Sequence, residues 1–167
     1  MAENMGVIPE WWTIAADRVG IWLLDGAPQY AAPVPADSEP HFEIRLRQSG
    51  FRQERTTLMH STSWRVDYKL GGLVVTYMVV VDAGDLVRGI WPEAKPITLA
   101  TIEAVGKPVP GTPTGPPSPS HFDVLTHGLR HLRFLMDTDT VNAEAMGPLM
   151  RRHLEPLRPA LAGLYAA

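Results

Sequence analysis

Asp123, His127 and His131 recur at i, i+4 and i+8 along a stretch whose apolar residues follow helical spacing, which sets all three on one side of a helix. Two imidazoles one turn apart can chelate a divalent ion, and His121 or His153 would complete such a site. With a metal-bound water as nucleophile, this set describes a metal-dependent hydrolase. Position 128 is Gly, where the HExxH motif of zinc proteases requires glutamate, so that mechanism is excluded. Paired histidines on a polar helix face are more often solvated or bonded to backbone, and the reading without a cofactor ranks ahead of the divalent metal.

A second cluster is the run His60-Ser61-Thr62-Ser63-Trp64-Arg65, too polar for a plain strand. Strict alternation places Leu58, His60, Thr62, Trp64 and Val66 on one face and Met59, Ser61, Ser63, Arg65 and Asp67 on the other. A histidine beside a tryptophan on a sheet face would line a pocket, and Arg65 near two serines would grip an anion such as phosphate. Arg45, Arg47 and Arg65 are therefore the anion-binding candidates. The blander alternative, favoured here, pairs Arg65 with an acid across strands. HSTSWR (His60 to Arg65) and HGLRHLRFL (His127 to Leu135) resemble stretches of uncharacterised proteins encoded in actinobacterial genomes and mobile elements. That resemblance covers the last two thirds of the chain and implies no activity.

Other chemistries lack their motifs. There is no G-x-S-x-G elbow, no G-x-G-x-x-G after a strand and no G-x-x-x-x-G-K-[ST], which argues against Ser hydrolases, dinucleotides and P-loop nucleotides. The α+β outline resembles small diphosphate hydrolases of the Nudix type, but their glutamate-rich metal helix is missing, so the likeness concerns shape and not activity.

The chain has 167 residues, 15 Lys+Arg, 18 Asp+Glu and no cysteine, which sets disulfides, iron–sulfur clusters and thiolate chemistry aside. A single domain spanning 1–167, without a membrane span or secretory signal and working in the cytoplasm, is the expectation. Arg outnumbers Lys 12 to 3 and Asn occurs twice, a GC-rich usage that suggests a bacterial or phage origin. Residues 1–40 hold one base against six acids, whereas 41–70 hold six bases against three acids. Docking of the acidic segment on the basic one within the chain is the simpler expectation, and the dispersed arginines argue against nucleic acid.

Within the acidic, aromatic segment 1–40, Pro9 to Leu24 reads as a helix followed by a short strand, and the prolines at 28, 33, 35 and 40 mark an irregular connection. Within 41–106, alternation over Phe42, Ile44 and Leu46 predicts a strand over about 41–49 with a basic face. A second strand is expected over 52–67, and the doubly apolar run Leu73 to Val81 is expected to be central. Ile97 to Val105 reads weakly as a helix, and the proline-rich 107–120 as a tether. Ser120 is a fitting N-cap for a helix to Met136 with Phe122, Leu125, Leu129, Leu132 and Met136 on its core side, and short or kinked helices complete 121–167.

The expected fold is therefore α+β: an antiparallel meander of at least three strands (about 41–49, 52–67 and 73–82) packed against C-terminal helices. The leading functional expectation is a non-enzymatic accessory or regulatory protein acting through protein–protein contact or self-association. Trp11, Trp12, Trp22, Trp64 and Arg65 are its expected anchors, since Trp and Arg are enriched at interface hot spots. The alternatives are the metal-dependent hydrolase with an anionic substrate and a nucleic-acid-binding regulator.

Overall fold

The aromatic run near the N-terminus folds as strand, not helix. In the computed structural model, which describes residues 6–35, 37–100, 102 and 119–161, β1 spans Val7–Ala16 and turns back into β2, Ile21–Leu23. A surface helix needs one polar face, but every residue from Ile8 to Ala16 is buried, so the run suits a strand covered on both sides. Pro9, expected in a first helical turn, contributes only its carbonyl here, accepting from the Ala31 amide at 3.0 Å.

Two further strands stand where expected, although the first begins only at Thr56, since residues 52–55 are helical. β4, Thr56–Asp67, and β5, Gly72–Val81, form an antiparallel hairpin, and β5 is central, flanked on its other side by parallel β1. The sheet runs β4-β5-β1-β2-β6, with β3 (Gln29–Tyr30) also paired to β1 and β6 (Lys95–Ile97) at the far edge. It is mostly antiparallel, and the β1–β5 pair is its parallel exception.

The strand expected over 41–49 is instead helix α1, Pro40–Arg47, followed by α2, Gly50–Arg55. Pro40 occupies the first turn, where its fixed φ fits and its missing N–H is no loss. Phe42, Ile44 and Leu46 do not share a buried face: Ile44 alone is buried, and the other two point outward. The alternation there was a coincidence of a short segment, and the basic strand face that Arg45 and Arg47 would have formed does not exist.

The long helix α4, His121–Thr138, follows the short α3, Val87–Ile90. The Ser120 hydroxyl accepts from the Asp123 amide while the Asp123 carboxylate accepts from the Ser120 amide, a capping box. Leu125, Leu129 and Leu132 are buried as expected, but Phe122 is largely exposed. Asp139 caps α5, Thr140–Ala145, and Gly147 at φ +74 breaks the chain into α6, Gly147–Leu154. Of the helix expected over Ile97 to Val105, Ile97 instead ends β6, the backbone at Leu99, Ala100 and Ile102 is helical, and residues 101 and 103–105, like residues 107–118 of the proline-rich stretch, lie outside the described residues.

Two apolar layers result. Trp12, Ile14, Met78 and Val80 meet Leu125, Leu129, Leu132 and Met150 of the C-terminal helices on the first face. Trp11, Trp22, Val79 and Val81 gather with Ile44 and Val87 on the second. This mixed architecture of a sheet with C-terminal helices packed on it is the α+β arrangement expected. Among the described residues no helix is long and apolar enough to cross a membrane.

Candidate functional site

β4 carries the chemistry-bearing run, and two bulges decide where it points. The register with β5 shifts between Thr56 and Leu58 and again between Ser61 and Ser63, so Thr62 is an extra residue. His60 pairs with Met78 on the helix-covered face; beyond the bulge Trp64 pairs with Val75 on the opposite face, and Arg65 returns to the helix side beside Val74. His60 and Trp64, expected together, are on opposite faces because one inserted residue inverts the alternation.

Arg65 meets an acid from the N-terminal segment. Its guanidinium grips the fully buried Glu10 carboxylate at 3.1 and 2.6 Å, and Thr76 donates to the same carboxylate at 2.8 Å. Burial alone would raise the Glu10 pKa, but hydrogen bonds from Arg65, Tyr30 and Thr76 and the Arg65 charge hold it below its ordinary value. Tyr30 is pushed up to about 12 by burial and by its bond to Glu10. Arg52 likewise pairs with Asp25 at 2.8 Å. The acidic segment thus docks on the basic one inside the chain. Arg65 spends its fork on Glu10, while Arg45 and Arg47 lie on the exposed side of α1, so the three anion candidates are not brought together.

The histidines cluster differently from their spacing. His127 and His131 face the sheet, and the His131 ring stands 5.4 Å from that of His60 and 6.4 Å from that of His127. His60 Nδ1 lies 2.7 Å from the Ser61 carbonyl. Burial lowers the His127 pKa, with hydrogen bonding to the Thr62 backbone offsetting part of the effect. His131 drops to about 4, first through burial and then through His60 and His127. Asp123 is engaged in the capping box, His121 stands edge-on to Trp12, and His153 Nε2 meets the Asp17 carbonyl at 2.8 Å. The spacing Asp123, His127, His131 therefore does not converge, and among the described residues no three potential ligands are already gathered around one point.

Of the tryptophan anchors, Trp11, Trp12 and Trp22 are core residues at 5%, 2% and 7% exposure, whereas Trp64 is 68% exposed. The three belong inside because β1 and β2 are covered on both faces. Around Trp64 the second face is exposed among the described residues: Val66, Leu73 and Val75 continue it, and Tyr68 and Leu70 in the following turn are exposed as well. A shallow groove of about 440 Å³ at the β4 edge is lined by Ser61, Thr62, Ser63, Trp64, Leu73 and Val75 together with His131 from the helix-covered side. Sequence reasoning missed Glu10, which sits in an otherwise apolar run, and Tyr30, which sits among prolines; an isolated acid inside a strand buried on both sides was the only available signal. No family model matches the chain, and neither a curated protein nor a solved structure matches it.

Proposed function

We propose that this is a non-enzymatic accessory protein of the cytoplasm that works by self-association through the uncovered face of β4 and β5. The observation that carries this reading is the exposure of Trp64 on a face of β4 and β5 whose described strand residues near it are apolar. Trp64, Val66, Leu73 and Val75 share that face, while Arg65 and Asp67 turn to the other. A large exposed aromatic with apolar neighbours supports a binding surface. The absence of charge among the described strand residues around Trp64 supports a second copy as occupant, because a two-fold contact there brings no like charges of these strands together.

The competing readings have less support. A hydrolase that grips its substrate with Arg65 would have to break the Glu10 pair, and of the arginines in the basic segment 41–70, Arg52 and Arg65 are already paired with acids, which leaves the exposed cations dispersed rather than gathered into a nucleic-acid surface. Sedimentation velocity from low to high micromolar protein tests the proposal. The native chain is expected to shift from monomer toward dimer, and Trp64→Ser, at an exposed position, to stay monomeric while folded. A native chain that remains monomeric at every concentration overturns it, as does a Trp64→Ser variant that dimerises normally.

A further inference from the structure

We infer that two copies of the chain join by antiparallel pairing of their β4 edges, centred on Trp64, so that the two sheets continue as one. This inference rests on the self-association reading and specifies its geometry. The edge of β4 supplies backbone hydrogen bonds, and the apolar face supplies Trp64 at the seam.

The two ends of the sheet differ in how they are guarded. An edge strand presents unpaired N–H and C=O groups to any other strand, and proteins blunt such edges with brevity, lysine, proline or a bulge. β6 is three residues long and contains Lys95 and Pro96. β4 closes the opposite end with twelve residues, and from Thr56 to Trp64 it holds no Lys, Arg, Asp, Glu or Pro. Its guard is the bulge at Thr62, whose backbone is hydrogen-bonded by His127 and His131 of α4. Just before it, the Ser61 carbonyl accepts from His60 Nδ1 at 2.7 Å. Past the bulge, among the described residues, no backbone group outside β5 bonds to the backbone of Ser63 to Val66. The groove follows the same line. Successive strand residues point to opposite faces, so a groove touched by Ser61, Thr62, Ser63 and Trp64 in succession, and by His131 from the helix side, runs along the edge itself.

The occupant is a second copy, and its register follows from symmetry and charge. Antiparallel pairing of identical edges has its two-fold axis perpendicular to the sheet, which keeps both Trp64 faces on the same side. Centring the pair on Arg65 would set two guanidinium groups directly opposite each other. Centring it on Trp64 sets Ser63 opposite Arg65 of the second copy, whose charge is already balanced by its own Glu10. The two indoles, each 68% exposed in the single chain, then meet across the seam with Val66 beside them. A cross-strand aromatic pair of this kind adds side-chain contact to the backbone bonds. Any extended segment could take those backbone bonds, but a second copy also covers Trp64 with an equal apolar surface.

Residue-resolved amide exchange of the full native chain by NMR, at concentrations below and above the dimer midpoint found by sedimentation, tests the pairing. The outward amides within Ser63 to Val66 are expected to slow by about tenfold or more in the dimer. Ser63→Lys, which places a cation against Arg65 of the second copy, should raise the dimer Kd by about tenfold, whereas Ser63→Glu should leave it unchanged or lower it. A native dimer in which those amides exchange as in the monomer overturns the edge pairing and leaves association through the face standing, as does a folded Ser63→Lys variant that dimerises like the native chain. Amides already slow in the monomer would assign the edge to another segment of the same chain and overturn the pairing as well. A chain that is monomeric at every concentration overturns both readings.

Discussion

Glu10 is the residue whose environment matters most to stability. A carboxylate at 0% exposure persists only because Arg65, Thr76 and Tyr30 satisfy it. Arg65→Ala should cost about 3–5 kcal/mol because it leaves a buried charge unpaired, whereas Glu10→Leu with Arg65→Met should restore most of that loss. Urea unfolding of the single and double variants measures this, and a single-variant loss below about 1 kcal/mol would contradict the pairing account. Acid adds a second check. Glu10 has a folded pKa below its ordinary 4.5, so its contribution is complete above 4.5 and is lost as pH falls through the folded value. His131 acts in a higher window. It is neutral in both states above 6.5; as pH falls from 6.5 toward about 4 the unfolded chain takes the proton first, so stability declines. Urea midpoints against pH should show both slopes, with His131→Gln flattening the upper one and the Glu10/Arg65 double variant the lower. An unchanged upper slope in His131→Gln would contradict the burial of that ring. Glu10 could not be read in advance because its partners come from strands 55 and 66 positions further along the chain, a distance local pattern does not reach.

At the scale of elements, α4 was legible and the N-terminal third was not, for physical reasons. Ser120 and Asp123 form a local capping box, and the apolar stripe of α4 has a clear period, so its start and core side follow from neighbours in sequence. Ser120→Ala should lower stability by about 0.5–2 kcal/mol through loss of that cap. Pro9 to Leu24 instead contains apolar residues in nearly every position, which gives no period to choose helix or strand, and tertiary burial decides. The bulge at Thr62 was invisible for a different reason: one inserted residue leaves composition unchanged but reverses every later side chain. Gly128 marks a close approach of α4 to the sheet, since a Cβ there would stand 2.5 Å from Met78 Sδ and 2.9 Å from its Cγ. Met78 is fully buried and cannot swing into solvent. Gly128→Ala should therefore destabilise by about 1–2 kcal/mol, the overpacking outweighing the better helix propensity of alanine. A more stable Ala variant in thermal unfolding would mean that α4 can ride up from the sheet at no cost.

For the whole molecule, the division of charge along the chain foretold an internal docking, and Arg52–Asp25 and Arg65–Glu10 are its contacts. Of the tryptophans proposed as surface anchors, three fill the two layers of the core and Trp64 is left outside. Tryptophan content alone could not separate the two fates, because the same large apolar surface that drives an interface drives a core. The C-terminal helices pack on one face of the sheet, while α1 and α3 reach only part of the other, so among the described residues the β4–β5 end of that second face is an apolar surface left exposed. The most direct test that a second copy covers it is amide hydrogen exchange of the native chain at low and high micromolar concentration, read by peptide. Self-association predicts that protection of the segments containing Ser61 to Trp64 and Leu73 to Tyr77 rises with concentration and that the gain disappears in Trp64→Ser; protection independent of concentration, or a gain confined to α1 or the C-terminal helices, would contradict it.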